Sequence, residues 1–260
     1  MQQGIDKQLV SERFAKALGS YREHAVVQRE MAIVLTDMIC TADTSCNFGR
    51  VLEVGAGTGA LMAELLSRCA IDIYMANDIV AESRRYTAGE AERRGLVGFA
   101  FLPGDIETIE DLPVELDLVV SNATVQWLSD LDGFFRKMAA CLKPGGMLAF
   151  STFSSGNMRE IAAVEEQGLM YPELSDLEVL GRRYFDPVCL QEELRRIAFD
   201  SPISVLNHVR KTGVNGIARR SWTKGHYLRF LRRYQEDYAC AEGVYLTYHP
   251  VYCCFRKRLS

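Results

Sequence analysis

The 260 residues contain no CxxC pair, no tandem repeat and no low-complexity tract. No stretch offers the ~18 uninterrupted apolar residues that a membrane-spanning helix requires. Each absence removes a class of protein. Zinc ligands group at short sequence spacing, whereas the eight cysteines fall at 40, 46, 69, 141, 189, 240, 253 and 254 and the four histidines are equally dispersed. No metal site is expected, and reduced thiols in a cytoplasmic setting are. The opening residues, MQQGIDKQLVSERF, carry charges where a signal peptide has an apolar core. Secretion and membrane insertion are therefore disfavoured. Hydrophobic residues at 48% and charged residues at 25% match ordinary globular usage, against disordered or fibrous architectures.

Charge is unevenly placed. Residues 181–260 hold 15 Lys and Arg against 7 Asp and Glu, a balance of +8, which leaves 15 basic and 27 acidic residues in 1–180. A basic end of this kind attracts an acidic partner, or it forms a solvated arginine-rich helical face.

Apolar periodicity sets the architecture. Residues 5–40 read as one helix, with Phe14, Ala17, Leu18, Tyr21, Ala25 and Gln28 on one face. Strands and helices then alternate. Val51–Val54, Ile71–Met75, Val97–Leu102, Leu116–Val120 and Met147–Phe153 read as strands, with helical spacing between them and a Lys143-Pro144-Gly145-Gly146 turn. That alternation predicts a doubly wound parallel sheet of the α/β class. Beyond residue 154, helices are expected at 157–167, 174–180 and 224–240. Ser201-Pro202 reads as an N-cap followed by proline at the first helical position of a helix running to Thr212. Residues 185–199 are ambiguous, with strand favoured in the second half, and Val244–Phe255 reads as one final strand.

The chemistry concentrates at strand ends. In VLEVGAGTGA (51–60), glycines 55, 57 and 59 let the backbone approach a ligand, and the following helix supplies free N–H groups. The same residues fit a dinucleotide fingerprint with Ala60 last. Glu53 faces that loop. Asp78 closes the second strand, 19 residues after Gly59, where a carboxylate can accept both hydroxyls of a ribose. Asp105 and Ile106 follow the third strand, positioned to bond an adenine amino group and to flank its ring.

Together, ExGxGTG, Asp78, Gly104-Asp105-Ile106-Glu107 and Leu142-Lys143-Pro144-Gly145-Gly146 resemble the class I S-adenosylmethionine-dependent methyltransferases. The resemblance implies a Rossmann-like seven-stranded sheet with an antiparallel last strand and helical cap insertions. It also implies that Glu53, Gly55, Gly57 and Gly59 hold the amino acid end of S-adenosyl-L-methionine, Asp78 the ribose, and Asp105-Ile106 the adenine. A narrower resemblance lies in Ser121-Asn122-Ala123-Thr124-Val125-Gln126-Trp127, in Phe14, Tyr21, Ala25 and Gln28, and in FDSPISVLNHVRKTGVNG (199–216) and LTYHPVY (246–252). These segments are similar to the malonyl-acyl-carrier-protein O-methyltransferases of biotin synthesis.

That family implies O-methylation of the free carboxylate of a malonyl thioester, with an acidic acyl carrier protein docked on the basic residues of 181–260. Neither nucleic acid nor membrane is expected as a partner. Tyr21, Gln28 and Asn122 then join the cofactor residues, with Tyr21 positioning and no general base. Gln126, Trp127, Arg210, Lys211, Tyr248 and His249 become substrate-side candidates, although packing, hydrogen-bonding and helix-dipole roles stay open for them. The implied organisation is a helical lid (1–49), a cofactor-binding core (50–153), and cap helices with final strands (154–260) in the same domain. A methyltransferase for another small acid or a quinone, or a silent cofactor-binding scaffold, remains the alternative.

Overall fold

The computed structural model describes residues 5–166, 169–212 and 222–259. Seven strands form one sheet in the order β3-β2-β1-β4-β5-β10-β6. At its centre, β1 (Asn47–Val54) pairs in parallel with β2 (Ala70–Asp78) on one side and β4 (Leu116–Asn122) on the other. β3 (Gly98–Pro103) and β5 (Leu142–Phe153) extend the parallel array. The last strand in the chain, β10 (Pro250–Lys257), runs antiparallel between β5 and β6 (Phe185–Glu192). This is the expected seven-stranded α/β sheet with its antiparallel member.

Alternation along each strand divides the core in two. Val51, Leu118, Val120, Met147, Ala149, Tyr252 and Cys254 point to one face, where they meet α2 (Val26–Ala42) and α3 (Ala60–Arg68). Leu52, Val54, Val119, Leu148, Phe150, Val251, Cys253 and Phe255 point to the other, against α5 (Leu131–Cys141) and α7 (Leu174–Gly181). On that second face, Phe135 meets Phe150, Phe185 and Phe255 at ring-centroid distances of 5.7–6.3 Å.

Four expectations are revised. The single N-terminal helix is two, α1 (Lys7–His24) and α2, broken at Ala25, whose ψ of 54° lies outside the helical region. No proline or glycine marks the break. Ala25 is buried and its N–H still bonds Tyr21 O, so packing imposes the turn. The single final strand is also two, because β9 (Gly243–Tyr248) belongs to a separate antiparallel sheet in the order β7-β9-β8, with β7 at Arg195–Phe199 and β8 at Ala239–Cys240. The chain changes sheets at His249, just before Pro250. Residues 185–199 likewise divide between β6 and β7, and the Lys-Pro-Gly-Gly turn is an irregularity within β5.

Ser201 caps α8 (Pro202–Lys211) as expected, its hydroxyl accepting from Ser204 N. Gly213, which follows the expected helix end at Thr212, lies outside the described residues. α4 (Ser83–Arg93), α6 (Arg159–Glu165) and α9 (Lys224–Asp237) complete the helices among the described residues. None of these helices is long and apolar enough to cross a membrane.

The aromatic cluster sets one measurable expectation. Phe135→Ala should lower the unfolding free energy by about 3–5 kcal/mol, the usual cost of truncating a fully buried phenylalanine. Urea denaturation reads it, and a loss below about 1 kcal/mol would show that α5 is not anchored through this ring.

Candidate active site

The parallel strands end at one edge, and there the site is built. After β1 the chain turns through Gly55, Gly57 and Gly59 at φ of 74°, 51° and 77°, values that disfavour a side chain. At Gly55 space is also lacking, since a Cβ would collide with the side chain of Thr124 from the loop after β4. At Gly57 a Cβ would meet no atom within 4 Å, so there the requirement is conformational and leaves an open cradle. Gly55 N and Ala56 N both donate to Asn77 O at 2.9 Å, tying the turn to the end of β2.

Asp78 completes that tie. Its Oδ2 accepts from Gly57 N at 2.7 Å and its Oδ1 from Val80 N at 2.8 Å. Burial pushes this carboxyl above its ordinary range, while those two amides and Ser83 oppose the rise. Glu53 is 1% exposed and accepts from Tyr74 Oη at 2.6 Å. Burial raises its pKa to about 8, with the Tyr74 hydrogen bond lowering it and the nearby Asp78 raising it. Two acids in one low-dielectric corner thus both lean toward the neutral form.

On the far side, Asn77 Nδ2 donates to Leu102 O and Gly104 O at 2.9 and 3.0 Å, holding the turn after β3. That turn carries Asp105 and the buried Ile106. Lys7 from α1 reaches Asp105 at 3.2 Å and also pairs with Glu107. Burial alone would raise Glu107. Lys7 and the Ser129 and Asp130 amides outweigh it and hold this carboxyl below its usual value.

α1 covers the edge. Lys7, Val10, Phe14, Leu18 and Tyr21, spaced three or four apart, form the stripe that faces a cavity of about 360 Å³. Glu53, the glycine turn, Asp78, Asp105, Ile106, Gln28, Asn122 and Trp127 line the same space, whose size suits a small-molecule ligand. Asn122 Nδ2 donates to Gln28 O at 2.9 Å, and its Oδ1 accepts from Ser151 at 2.6 Å. Phe14 lies edge-on to Trp127 at 5.7 Å and to Tyr21 at 6.2 Å. The surrounding protein, and then the charge of Asp78, push the Tyr21 phenol well above its ordinary value. Trp127 Nε1 is buried with no partner among the described residues.

All ten cofactor-side candidates therefore meet at one cavity, but only Trp127 of the substrate-side group lines it. Gln126 bonds Ala123 O at 2.7 Å and Thr152 at 3.0 Å. Tyr248 Oη lies 2.6 Å from His208 Nε2. His249 accepts from Gly156 N at Nδ1 (3.1 Å) and meets Glu192 through Nε2 (3.3 Å). Arg210 and Lys211 are exposed on α8, Arg210 bonding Asn207. Thr124, quoted in the loop after β4 but given no role, also lines the cavity, and Lys7, Arg22 and Arg29 reach it without having been named in the sequence. Only Lys7 and Arg22 had an available signal, since both extend a helical stripe through Phe14 and Tyr21.

The raised Glu53 pKa has a sign that can be measured. A carboxyl whose folded pKa lies above its unfolded value stabilises the fold at low pH, and that stability is lost as pH rises toward about 8. Glu53→Gln keeps an acceptor for Tyr74 and cannot ionise. Ligand-free Glu53→Gln should therefore melt several degrees above the parent at pH 8 and close to it at pH 4. Parallel melting curves at both pH values would refute the assignment.

Residues 52–150 match the methyltransferase-domain family. A malonyl-[acyl-carrier protein] O-methyltransferase of Prosthecochloris aestuarii is 44% identical over 98% of this chain and 95% of its own length. The protein of the same name from Chlorobium luteolum is 47% identical over 97% of this chain and 96% of its own. Among solved structures, the YcgJ protein of Bacillus subtilis superposes with a TM-score of 0.63 at 15% identity, covering 86% of this chain and 97% of its own. That likeness concerns the fold alone. With 44–47% identity running through nearly the whole of both curated relatives, the chain belongs to the malonyl-[acyl-carrier protein] O-methyltransferase family.

Proposed function

We propose that this chain transfers a methyl group from S-adenosyl-L-methionine to the free carboxylate of a malonyl thioester carried by acyl carrier protein, at an early step of biotin synthesis. One observation carries the choice of acceptor. No histidine or cysteine lines the cavity among the described residues; of the acids that do, Glu53, Asp78 and Asp105 belong to the proposed cofactor side and Glu64 pairs with Arg68. A phenol or an amine would need a base to take its proton. A carboxylic acid with a pKa of about 4 is already ionised at neutral pH and needs none.

The cavity's residues fit the cofactor. Glu53 would receive its ammonium group, the open Gly57 cradle its amino acid end, Asp78 the ribose hydroxyls, and Asp105 with Ile106 the adenine. Bound, the cofactor supplies a methyl group on a sulfonium cation. Burial raises both carboxyls, and a bound cation opposes that rise by favouring their charged forms. Tyr21 and Gln28 would position, and Phe14 and Trp127 would form an aromatic wall that excludes water and favours the meeting of opposite charges. On this reading the segment before β1 is the lid, α1 closing over the cofactor with Lys7 as its latch. Residues 50–153 are the cofactor-binding core, and 154–260 form a cap within the same domain.

Docking is assigned to the basic C-terminal region. Lys224, Arg229, Arg232 and Arg233 are exposed on α9. Arg219 and Arg220, which belong to the same basic region of 181–260, lie outside the described residues. An acidic carrier steered to such a face is sensitive to salt, because charges are screened over ~8 Å at 0.15 M.

The direct test incubates the protein with labelled S-adenosylmethionine and malonyl-carrier, then weighs the carrier. The expected product is one methyl ester per malonyl group, and no mass change while a free small acid is methylated would overturn the carrier assignment. Asp78→Ala should weaken cofactor binding about ten- to hundredfold, matching the 1.5–3 kcal/mol of a charge-assisted hydrogen bond. Unchanged affinity by calorimetry would remove the ribose role. Raising salt should depress turnover of malonyl-carrier more than that of malonyl-coenzyme A. Charge reversal at Arg229 and Arg232 should raise the Michaelis constant for the carrier alone; identical responses by both thioesters would leave α9 as a solvated face.

A further inference from the structure

Three cysteines that stand apart in sequence converge at the opposite end of the sheet. Asn47 pairs with Ala70 where β1 and β2 begin. The residues immediately before them, Cys46 and Cys69, are thereby brought together, and Ala70 N donates to Cys46 O at 2.8 Å. The last turn of α2 adds Cys40. The three Sγ atoms lie within 4.8 Å of one another, with Cys40 and Cys69 3.8 Å apart. All three are free thiols; Cys69 is buried, while Cys40 and Cys46 are partly exposed, so a small ion can reach them.

The spacing has a chemical meaning. Metal–sulfur bonds of about 2.3 Å place the sulfurs of a trigonal or tetrahedral thiolate site roughly 3.8–4.0 Å apart. These thiols need only close slightly to reach that geometry. Cys46 also holds a φ of 45°, a backbone state that disfavours any residue with a side chain, and there its thiol faces the other two. Sulfur donors select soft cations over magnesium or calcium. Arg68, paired with Asp37 and Glu64 beside Cys69, places positive charge near a group that becomes anionic on binding.

We propose that Cys40, Cys46 and Cys69 form a binding site for one thiophilic cation of the zinc class. Three metal–sulfur bonds form, each thiol that ionises releases its proton to solvent, and no oxidant or reductant takes part. The ion would clamp α2 and the end of α3 to the start of the central strands. The eight residues of β1 separate this site from the glycine turn by roughly 25 Å.

Titration of the fully reduced chain with cadmium chloride should develop thiolate-to-metal charge-transfer absorption that saturates at one ion per chain. Each of C40S, C46S and C69S should weaken binding by at least roughly 100-fold, because a lost ligand costs more than the 10–100-fold that follows loss of a group supporting one, while C189S and C240S should not. A second readout needs no variant. Zinc should protect the partly exposed Cys40 and Cys46, but not Cys189 or Cys240, from alkylation mapped by peptide mass. Absence of the absorption band, its persistence in the triple variant C40S/C46S/C69S, or an alkylation pattern indifferent to zinc would each overturn the site.

Discussion

The hydrogen bond from Gly57 N to Asp78 is the contact on which the site's geometry rests. It joins the turn after β1 to the end of β2, and the paired bonds from Gly55 and Ala56 to Asn77 reinforce it. The turn can lie there only because Gly55 leaves room for Thr124, so the loop after β4 closes from the other side. Three strand ends are thus locked into one concave edge before any ligand is considered. This order follows from the parallel sheet itself, whose neighbouring strands deliver their C-terminal loops to the same edge.

That edge is electrostatically unfinished. Glu53 and Asp78 share a corner from which water is largely excluded, and burial raises both carboxyls. Backbone amides and Tyr74 stabilise the anions without cancelling their charge. Such a corner favours a cation, and the proposed ligand brings its positive groups there. Methyl transfer to a carboxylate then asks for alignment and dryness more than for proton transfer. The cavity supplies an aromatic wall and a covering helix without a histidine or cysteine facing in among the described residues.

The covering helix explains why the N-terminus looks as it does. α1 buries only Leu9, Val10, Ala17 and Leu18, whereas α2 buries eight residues against the sheet. An apolar helix packs on a sheet face, while a mostly polar one settles over an edge. The break at Ala25 lets one continuous amphipathic stretch do both. Lys7 then anchors the far end to Asp105 and Glu107 in a partly shielded ion pair.

The alternation of parallel strands and helices, the glycine turn and the strand-end positions of Asp78 and Asp105-Ile106 were legible from the amino-acid sequence, because each depends on local spacing. Period-two and period-3.6 patterns report which face is buried, and glycines report a backbone that a side chain would strain. Other features depend on contacts between distant segments, and no local pattern encodes them. Ala25 breaks a helix without a breaker residue. His249 and Pro250 divide an unbroken apolar run between two sheets, and Tyr248 and His249 turn to His208, Gly156 and Glu192 instead of the cavity. Cys40, Cys46 and Cys69 are dispersed along the chain, yet the β1–β2 register and the end of α2 bring their sulfurs together. The sequence determined the alternating strands and helices and the glycine turn through short-range periodicity; tertiary packing alone decided which distant side chains meet.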